Sequence, residues 1–235
     1  YAKQADKAAD KSKGAFKEMF SATALSGIAV EALKEVGQAI KDFVVGSVEA
    51  AADIKASNSQ FSETFKDLEN TATKSLKQIE KKTGTAASRM QSYYTKLFAY
   101  SKTIGAESAE ALDISNRAML AAADSAAYYD KSLEEVVETL QSYLKGNYEN
   151  DAALGISSTE TTRNAMANKL YAKSFIELSE AQKVDTLLAM VEAGNQASGA
   201  LGQAAREADS WTNVTGELNE AMRQLQAIIG NPIME

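Results

Sequence analysis

Apolar positions recur along this chain at intervals of three and four, the spacing of one helical face, and no stretch alternates convincingly with the period of a strand. The longest stripe runs Leu25, Ala29, Ala32, Val36, Ile40, Phe43, Ala50 and Ile54, with Ser47 as a gap and Ile28, Leu33, Val44 and Val48 widening it. Capped by Ser21 or Thr23, it predicts one amphipathic helix of roughly 35 residues, about 50 Å long. The pattern approaches a heptad seam but is too wide and too Ala-rich for a strict two-stranded coil. Gly27, Gly37 and Gly46 are small sites where another helix can come close. Upstream, residues 2–20 read as a Lys/Ala/Asp-rich polar helix that ends in Phe16, Met19 and Phe20. Downstream, Ser57-Asn58-Ser59-Gln60 reads as a break. Phe61, Phe65 and Leu68 anchor the turn after it, and Asp67 to Lys82 forms a short helix ended by Thr83-Gly84-Thr85.

The pattern then shortens into compact elements. Ala86 to Thr103 carries Met90, Tyr93, Tyr94, Leu97, Phe98 and Tyr100, an aromatic stripe that reads as core or as an interface. Ala106 to Tyr128 turns Leu112, Ala118, Met119, Ala122 and Ala126 inward. Ser132 and Glu135 make an S-x-x-E capping box. Behind it Leu133, Val136, Val137, Leu140 and Leu144 share one face, and Gly146 ends the helix. A polar turn, Asn147 to Asp151, leads to an apolar plug, Leu154-Gly155-Ile156. A helix starts in the Ser157–Glu160 cluster, spans Thr159 to Ser174 and carries Met166, Leu170 and Phe175. Ser179 with Gln182 is a second capping box. It opens a helix holding Val184, Leu187, Leu188 and Val191 that Gly194 is expected to end. Residues 195–202 read as a flexible connector, and 203–211 as helical. A last amphipathic helix starts at Asn213 or Thr215 and runs through Leu218, Met222, Leu225, Ile228 and Ile229 to a stop at Gly230-Asn231-Pro232. The expected fold is all-α and an oligomeric bundle. Long, coiled-coil-like helices occupy residues 1–60, a helical connector 61–84 and a compact multi-helix module 85–194. A flexible connector and the C-terminal amphipathic helix fill 195–235.

Composition qualifies this picture. Hydrophobic residues make up 45% of the 235, but many are alanine, which builds helix and buries little area, so the core is expected to be thin. Such helices often need partner helices to complete their burial. The first residue is Tyr1 and helix is expected from the start, which reads as a piece of a longer protein. There is no Cys for a disulfide or thiolate site and no His, the commonest general base and metal ligand. The net charge of −7 argues against a nucleic-acid-binding domain, and no specific nucleic-acid binding is expected. The acidity is concentrated from Glu107 to Glu160, with 11 acidic against 3 basic side chains. That stretch is either a solvated face or a surface for a basic partner.

Candidate chemistry is sparse. Glu134, Glu135 and Glu138 sit close together on a helix, with Glu149 and Asp151 in the loop that follows. The 147–151 loop lacks calcium-loop spacing. Gly194, Gly199 and Gly202 follow no strand and imply no dinucleotide site. Arg117, Arg163, Arg206 and Arg223 are scattered, which favours solvated or ion-paired roles. No catalytic residue, cofactor or metal site is expected. The most apolar window, residues 23–52, is interrupted by Glu31, Lys34, Glu35, Lys41 and Asp42, unlike an ordinary membrane span.

The stretch AAADSAAYYDKSLEEVVETLQSYLKGNYENDAALGI resembles the helical core segment of phage tail tape measure proteins. In both, small residues lead into a short helix, a Gly-containing acidic loop and a Leu-Gly-Ile element. The resemblance continues through residues 159–174, SEAQKVDTLLAMVEAG and ADSWTNVTGELNEAMRQLQAIIGNPI, and reaches back to NSQFSETFKDLE, covering roughly residues 50 to 235. It implies a non-enzymatic structural protein that measures tail length as a helical ruler in the lumen of the tail tube, docked at the tail tip or baseplate hub and released during genome ejection. It implies partners as well: further copies of the chain, commonly three, the tail tube protein, hub proteins and the host membrane during ejection. The location implied is the virion tail, and the host cytoplasm during assembly. Candidate self-association positions are Leu25, Ala29, Val36, Ile40, Phe43 and Ile54; candidate core or interface positions are Tyr93, Tyr94, Phe98 and Trp211. The rival readings are a membrane-active or pore-forming helical protein inserting residues 25–54, a soluble adaptor bundle and, more distantly, an enzyme.

Overall fold

A computed structural model describes residues 30–208 and 211–234, and it is all-α, with no strand among the described residues. The helices are α1 Val30–Phe65, α2 Glu69–Thr83, α3 Ala87–Thr103, α4 Ser108–Tyr128, α5 Leu133–Leu144, α6 Glu160–Tyr171, α7 Glu180–Ser198, α8 Gln203–Arg206 and α9 Trp211–Met234. Short 3-10 turns occupy Lys66–Leu68, Asp151–Leu154 and Phe175–Glu177. The polar helix expected over residues 2–20 lies outside the described residues, as do Leu25 and Ala29.

The chain divides into two compact units, residues 60–218 and residues 1–59 with 219–235. The larger unit is built around α4, which packs against α2, α3, α5, α7 and α8. Its sequence explains that position. Ala111, Ala118, Ala121, Ala122, Ala123, Ser115 and Ser125 are buried, and side chains this small let several neighbours approach one helix. The neighbours supply the bulk, among them Leu76 and Ile79 from α2, Met90 and Leu97 from α3, Val137 and Leu140 from α5, and Leu187 and Leu188 from α7. Residues 61–84, expected as a connector, contribute Phe61, Phe65, Ala72, Leu76 and Ile79 to this core.

In the smaller unit, the buried apolar side chains described between α1 and α9 are small ones. Ala50, Ala51 and Ala227 are buried and Ile54 packs against them. A Cβ on Gly230 would collide with the carbonyl of Ser47, so the two backbones touch there. Ser47 lies opposite Gly230 and Ala50 opposite Ala227: α1 advances as α9 recedes, which is an antiparallel pairing.

Helix ends follow local chemistry with several corrections. Within the expected Ser157–Glu160 cluster it is Thr159 that caps α6, which ends at Tyr171 and not at Ser174, and Ser179 with Gln182 caps α7 as expected. Ser132 accepts the Glu135 N–H at 3.1 Å, but the Glu135 carboxylate takes Lys131 at 2.5 Å, so this cap is not a reciprocal box. The expected break at Ser57–Gln60 is absent. Asn58, Ser59 and Gln60 are exposed and solvated, α1 runs on to Phe65, and the backbone bends only at Lys66, with φ 46°. Gly194 does not end α7. It sits inside the helix because a Cβ there would lie 2.5 Å from Ile156 Cγ2 and 3.2 Å from the Gly155 carbonyl. The connector expected from residue 195 is helical to Ser198, since Asn195 is buried, accepts from Ser125 Oγ and donates to the Ala121 carbonyl. Finally, α9 continues past Gly230 to Met234 because the glycine serves the close approach to α1 and not a turn.

Candidate interaction surfaces

The aromatic stripe of α3 lies mainly in the core. Tyr94 and Phe98 are buried, while Tyr93 is half-buried. Phe65, the last residue of α1, has its ring 4.7 Å from Phe61, 5.6 Å from Tyr94 and 4.4 Å from Phe98. This cluster fixes the C-terminal end of the longest helix. Tyr94 donates to Asn116 Oδ1 at 2.8 Å, and burial pushes its hydroxyl up to about 12. Tyr93 is the outward member. Burial, then Glu134 and Glu138, raises its pKa, and Lys96 lies over its ring at 5.4 Å. The side chains of Trp211, Val36, Ile40 and Phe43 lie outside what the structure describes. Of the α1 stripe, Ile54 is placed, against the alanine contact with α9.

The carboxylates of the acidic stretch are largely engaged. Glu134 and Glu217 grip Arg89 from two sides at 3.1 Å each, and Glu217 also accepts the Ala86 N–H at the start of α3. The Arg89 side chain is 9% exposed, so this pair of bonds ties the first turns of α9 to α3 and α5. Arg117 on α4 draws Asp113 at 3.2 Å, Asp185 at 2.5 Å and Glu192 at 2.7 Å. Glu192 first and then Asp185 hold that guanidinium more firmly protonated than an ordinary arginine. Tyr171 donates to Asp185 from the opposite side, and burial, then Asp185, raises its pKa. Asp151 accepts the Ser158 N–H and closes the loop after α5. The carboxylates weighed for chemistry thus include two, Glu134 and Asp151, that tie parts of the fold together, while Glu135 makes an exposed pair with Lys131. Among the described residues no group of three His, Cys, Asp or Glu side chains is arranged to hold a metal ion.

The loop module after α5 is locked from inside. Tyr143, fully buried, donates to Ser158 Oγ at 3.0 Å, and burial pushes it up to about 12. The Arg163 guanidinium stacks 4.0 Å from the Tyr148 ring and donates to the Ser158 carbonyl. Beside it runs an open groove of about 510 Å³, lined by Ile156, Ala165, Met166, Met190, Ala193 and Ala197 among others. Ile176 stands 83% exposed on the 3-10 turn after α6.

Among the described residues, an exposed apolar stripe lies along α9. Leu218, Met222, Leu225, Ile228 and Ile229 are 60%, 46%, 48%, 67% and 38% exposed. The stripe was legible in the sequence. The face that α9 buries is the other one, with Glu220, Ala227 and Gly230.

No protein-family model, curated protein or solved structure matches this chain. Among the described residues no helix is long and apolar enough to cross a membrane.

Proposed function

We propose that this chain is part of a tape measure protein of a phage or phage-like tail, a helical ruler and scaffold within the tail tube that docks at the tip or hub. The observation that carries the reading is α1: 36 residues without interruption, about 54 Å of helix at 1.5 Å per residue. A ruler needs residue count to translate linearly into distance, and an unbroken helix does that. The narrow Ala/Gly/Ser contact between α1 and α9 suits a slender assembly that must fit a tube and later leave it. The resemblance in residues 50–235 supports the same assignment. The compact unit of residues 60–218 would then be a folded station at the hub end and not part of the counted length. The partners are further copies of the chain, the tube protein, hub proteins and the host membrane during ejection.

The test is tail length measured by electron microscopy after an in-frame deletion of about 21 residues within Ala29–Ala50 of the full-length gene. A helical ruler shortens by roughly 30 Å, and the deletion keeps helical phase to within about 60°. Tails shorter by that amount are the expected result. Unchanged tails would remove α1 from the counted length, and a parent that makes no tail-like particle would overturn the proposal.

A further inference from the structure

The open groove beside the loop module is walled by two helical faces of the same period. On α6, Ala165, Met166 and Lys169 lie three, four and seven residues after Thr162. On α7, Ala193 and Ala197 lie three and seven residues after Met190. Ile156, packed against Gly194, lines the groove as well. Each wall is about 10 Å long at 1.5 Å per residue. Ala165, Ala193 and Ala197 are exposed, so apolar surface meets water in a trough of about 510 Å³, a volume within the range of small-molecule sites. Met166 and Met190 contribute unbranched, adaptable side chains, which suit an apolar occupant without a fixed shape. The Tyr143 hydroxyl steadies Met190 from behind, 3.8 Å from its sulfur. The charge in the lining is a single group, Lys169, which is exposed in the last turn of α6. Among the described residues no carboxylate lines the trough and no ion pair holds Lys169. A short apolar trough with one ammonium at its end calls for an apolar tail and one anionic head. A partner helix averages three turns or more, and these walls offer it two.

We infer that this groove binds a free fatty carboxylate of medium chain length, with the alkyl chain along Ile156, Met166 and Met190 and the carboxylate paired with the Lys169 ammonium. Because Lys169 is exposed, the head stays in water while the chain leaves it, which is what an amphiphile requires. An exposed ion pair contributes little by itself, so the head selects the sign of the ligand and the tail supplies the affinity. A fully buried methylene is worth roughly fourfold in affinity. An open trough covers the chain on one side only, which makes roughly fourfold for each two carbons added. The groove lies wholly within the unit of residues 60–218, and the inference does not rest on the tape measure reading.

The test is isothermal titration calorimetry of the whole 235-residue chain with octanoate, decanoate and dodecanoate at neutral pH, below their micelle concentrations. Saturation at one molecule per chain is expected, with affinity rising roughly fourfold for each two carbons. Lys169→Glu should weaken decanoate about fivefold and turn the preference toward decyltrimethylammonium. Ala193→Trp fills the trough from an exposed position, so circular dichroism should show the helical signal intact while decanoate binding disappears. Ala165→Trp does the same from the α6 wall and serves as the second variant should the first disturb the fold. Leu201→Ala, which trims an exposed apolar side chain outside the groove, should leave binding as it was. A wild-type chain with no saturable decanoate binding up to about 1 mM would overturn the inference. So would decyltrimethylammonium bound as tightly as decanoate, or decanoate binding that survives both groove-filling substitutions. Capture of the chain by phosphatidylglycerol vesicles, abolished by those same substitutions, would overturn it too, since the occupant would then be a lipid surface. None of these outcomes bears on the tail-length measurement.

Discussion

Replacing Gly194 with alanine sets two calculable effects against each other. Glycine in the interior of a helix costs about 1 kcal/mol relative to alanine, so by propensity alone the change should stabilise α7. The space is taken, however. The new Cβ would lie 2.5 Å from Ile156 Cγ2 and 3.2 Å from the Gly155 carbonyl oxygen. Ile156 is β-branched and stiff, so its methyl cannot swing aside cheaply. Gly155 is itself held by Tyr129, whose hydroxyl occupies the place of any side chain there. Overpacking of this kind costs typically 1–3 kcal/mol, which exceeds the propensity gain. Gly194→Ala should therefore destabilise the chain by about 1 kcal/mol, or roughly 2–4 °C in Tm for a chain of this size. Removing the obstacle should reverse the sign. In an Ile156→Ala background the same substitution should stabilise by up to about 1 kcal/mol, a coupling near 2 kcal/mol in a double-mutant cycle. Urea unfolding of the four proteins, followed by circular dichroism, gives all the differences. A stabilising Gly194→Ala in the otherwise unchanged chain would refute the argument that packing against the Leu154–Ile156 plug holds this glycine in place.

Phe65→Ala removes a buried ring from the Phe61, Tyr94 and Phe98 cluster and should cost about 3–5 kcal/mol by urea unfolding, with faster amide exchange in the last turns of α1; a loss below 1 kcal/mol would show that the cluster does not anchor the helix. Arg117→Met leaves Asp113, Asp185 and Glu192 near one another without their cation. The site is partly exposed, so the expected loss is about 2 kcal/mol, reduced when Asp185→Asn is added; equal losses in both backgrounds would contradict it. At alkaline pH, Tyr94 and Tyr143 have folded-state pKa values raised to about 12, above the value near 10 of an unfolded tyrosine. Their contribution is complete below pH 10 and is lost as pH rises from 10 through 12, because the unfolded chain releases these protons first. Absorbance at 295 nm should show late ionisation coincident with unfolding, and Tyr143→Phe should weaken the pH dependence; ionisation of all nine tyrosines near pH 10 in a folded chain would rule this out.

Signals that act within one turn of helix were legible in the sequence. Ser179 with Gln182 caps the helix it was expected to cap, α6 starts within the expected Ser157–Glu160 cluster, and Gly146 takes φ 95° just after α5. Burial of Tyr94, Phe98, Met119 and Val137 follows from periodicity as well. Signals whose meaning depends on a distant partner misled. Gly194 and Gly230 have the composition of helix ends and act as close-approach positions, a role set by Ile156 and Ser47 far away in sequence. Asn195 looked like linker composition, but Ser125 and the Ala121 carbonyl satisfy it inside the core. Glu217 and Arg89 are 128 residues apart, and no local pattern announces their bond. The outer face of α9 reads as amphipathic in the sequence. Which of its two faces meets α1 is decided by Gly230 and Ala227, since only the small face allows the backbones to touch.

That choice of face bears on the ruler proposal. A helix pair that buried Met222, Leu225 and Ile229 between its members would have a self-sufficient seam and nothing left to offer. Here the described side chains of the contact between α1 and α9 are Ala50, Ala51, Ala227 and part of Ile54, which bury little apolar area. Long helices gain most of their stability from tertiary packing of an amphipathic face and not from propensity, so burial must come from elsewhere for such a pair to persist in water. Packing with further copies of the chain would supply it at the cost of making the rod's stability depend on another chain. For a ruler that is an advantage. A rod ordered by its neighbours would extend when packed with them and loosen once they separate, whereas the unit of residues 60–218, with Tyr94, Tyr143, Leu140 and Leu188 fully buried, carries its own core. On this reasoning, dilution of the isolated chain should melt the helix of residues 30–59 before it disturbs the larger unit. Amide exchange measured against concentration separates the two, because only the first should respond.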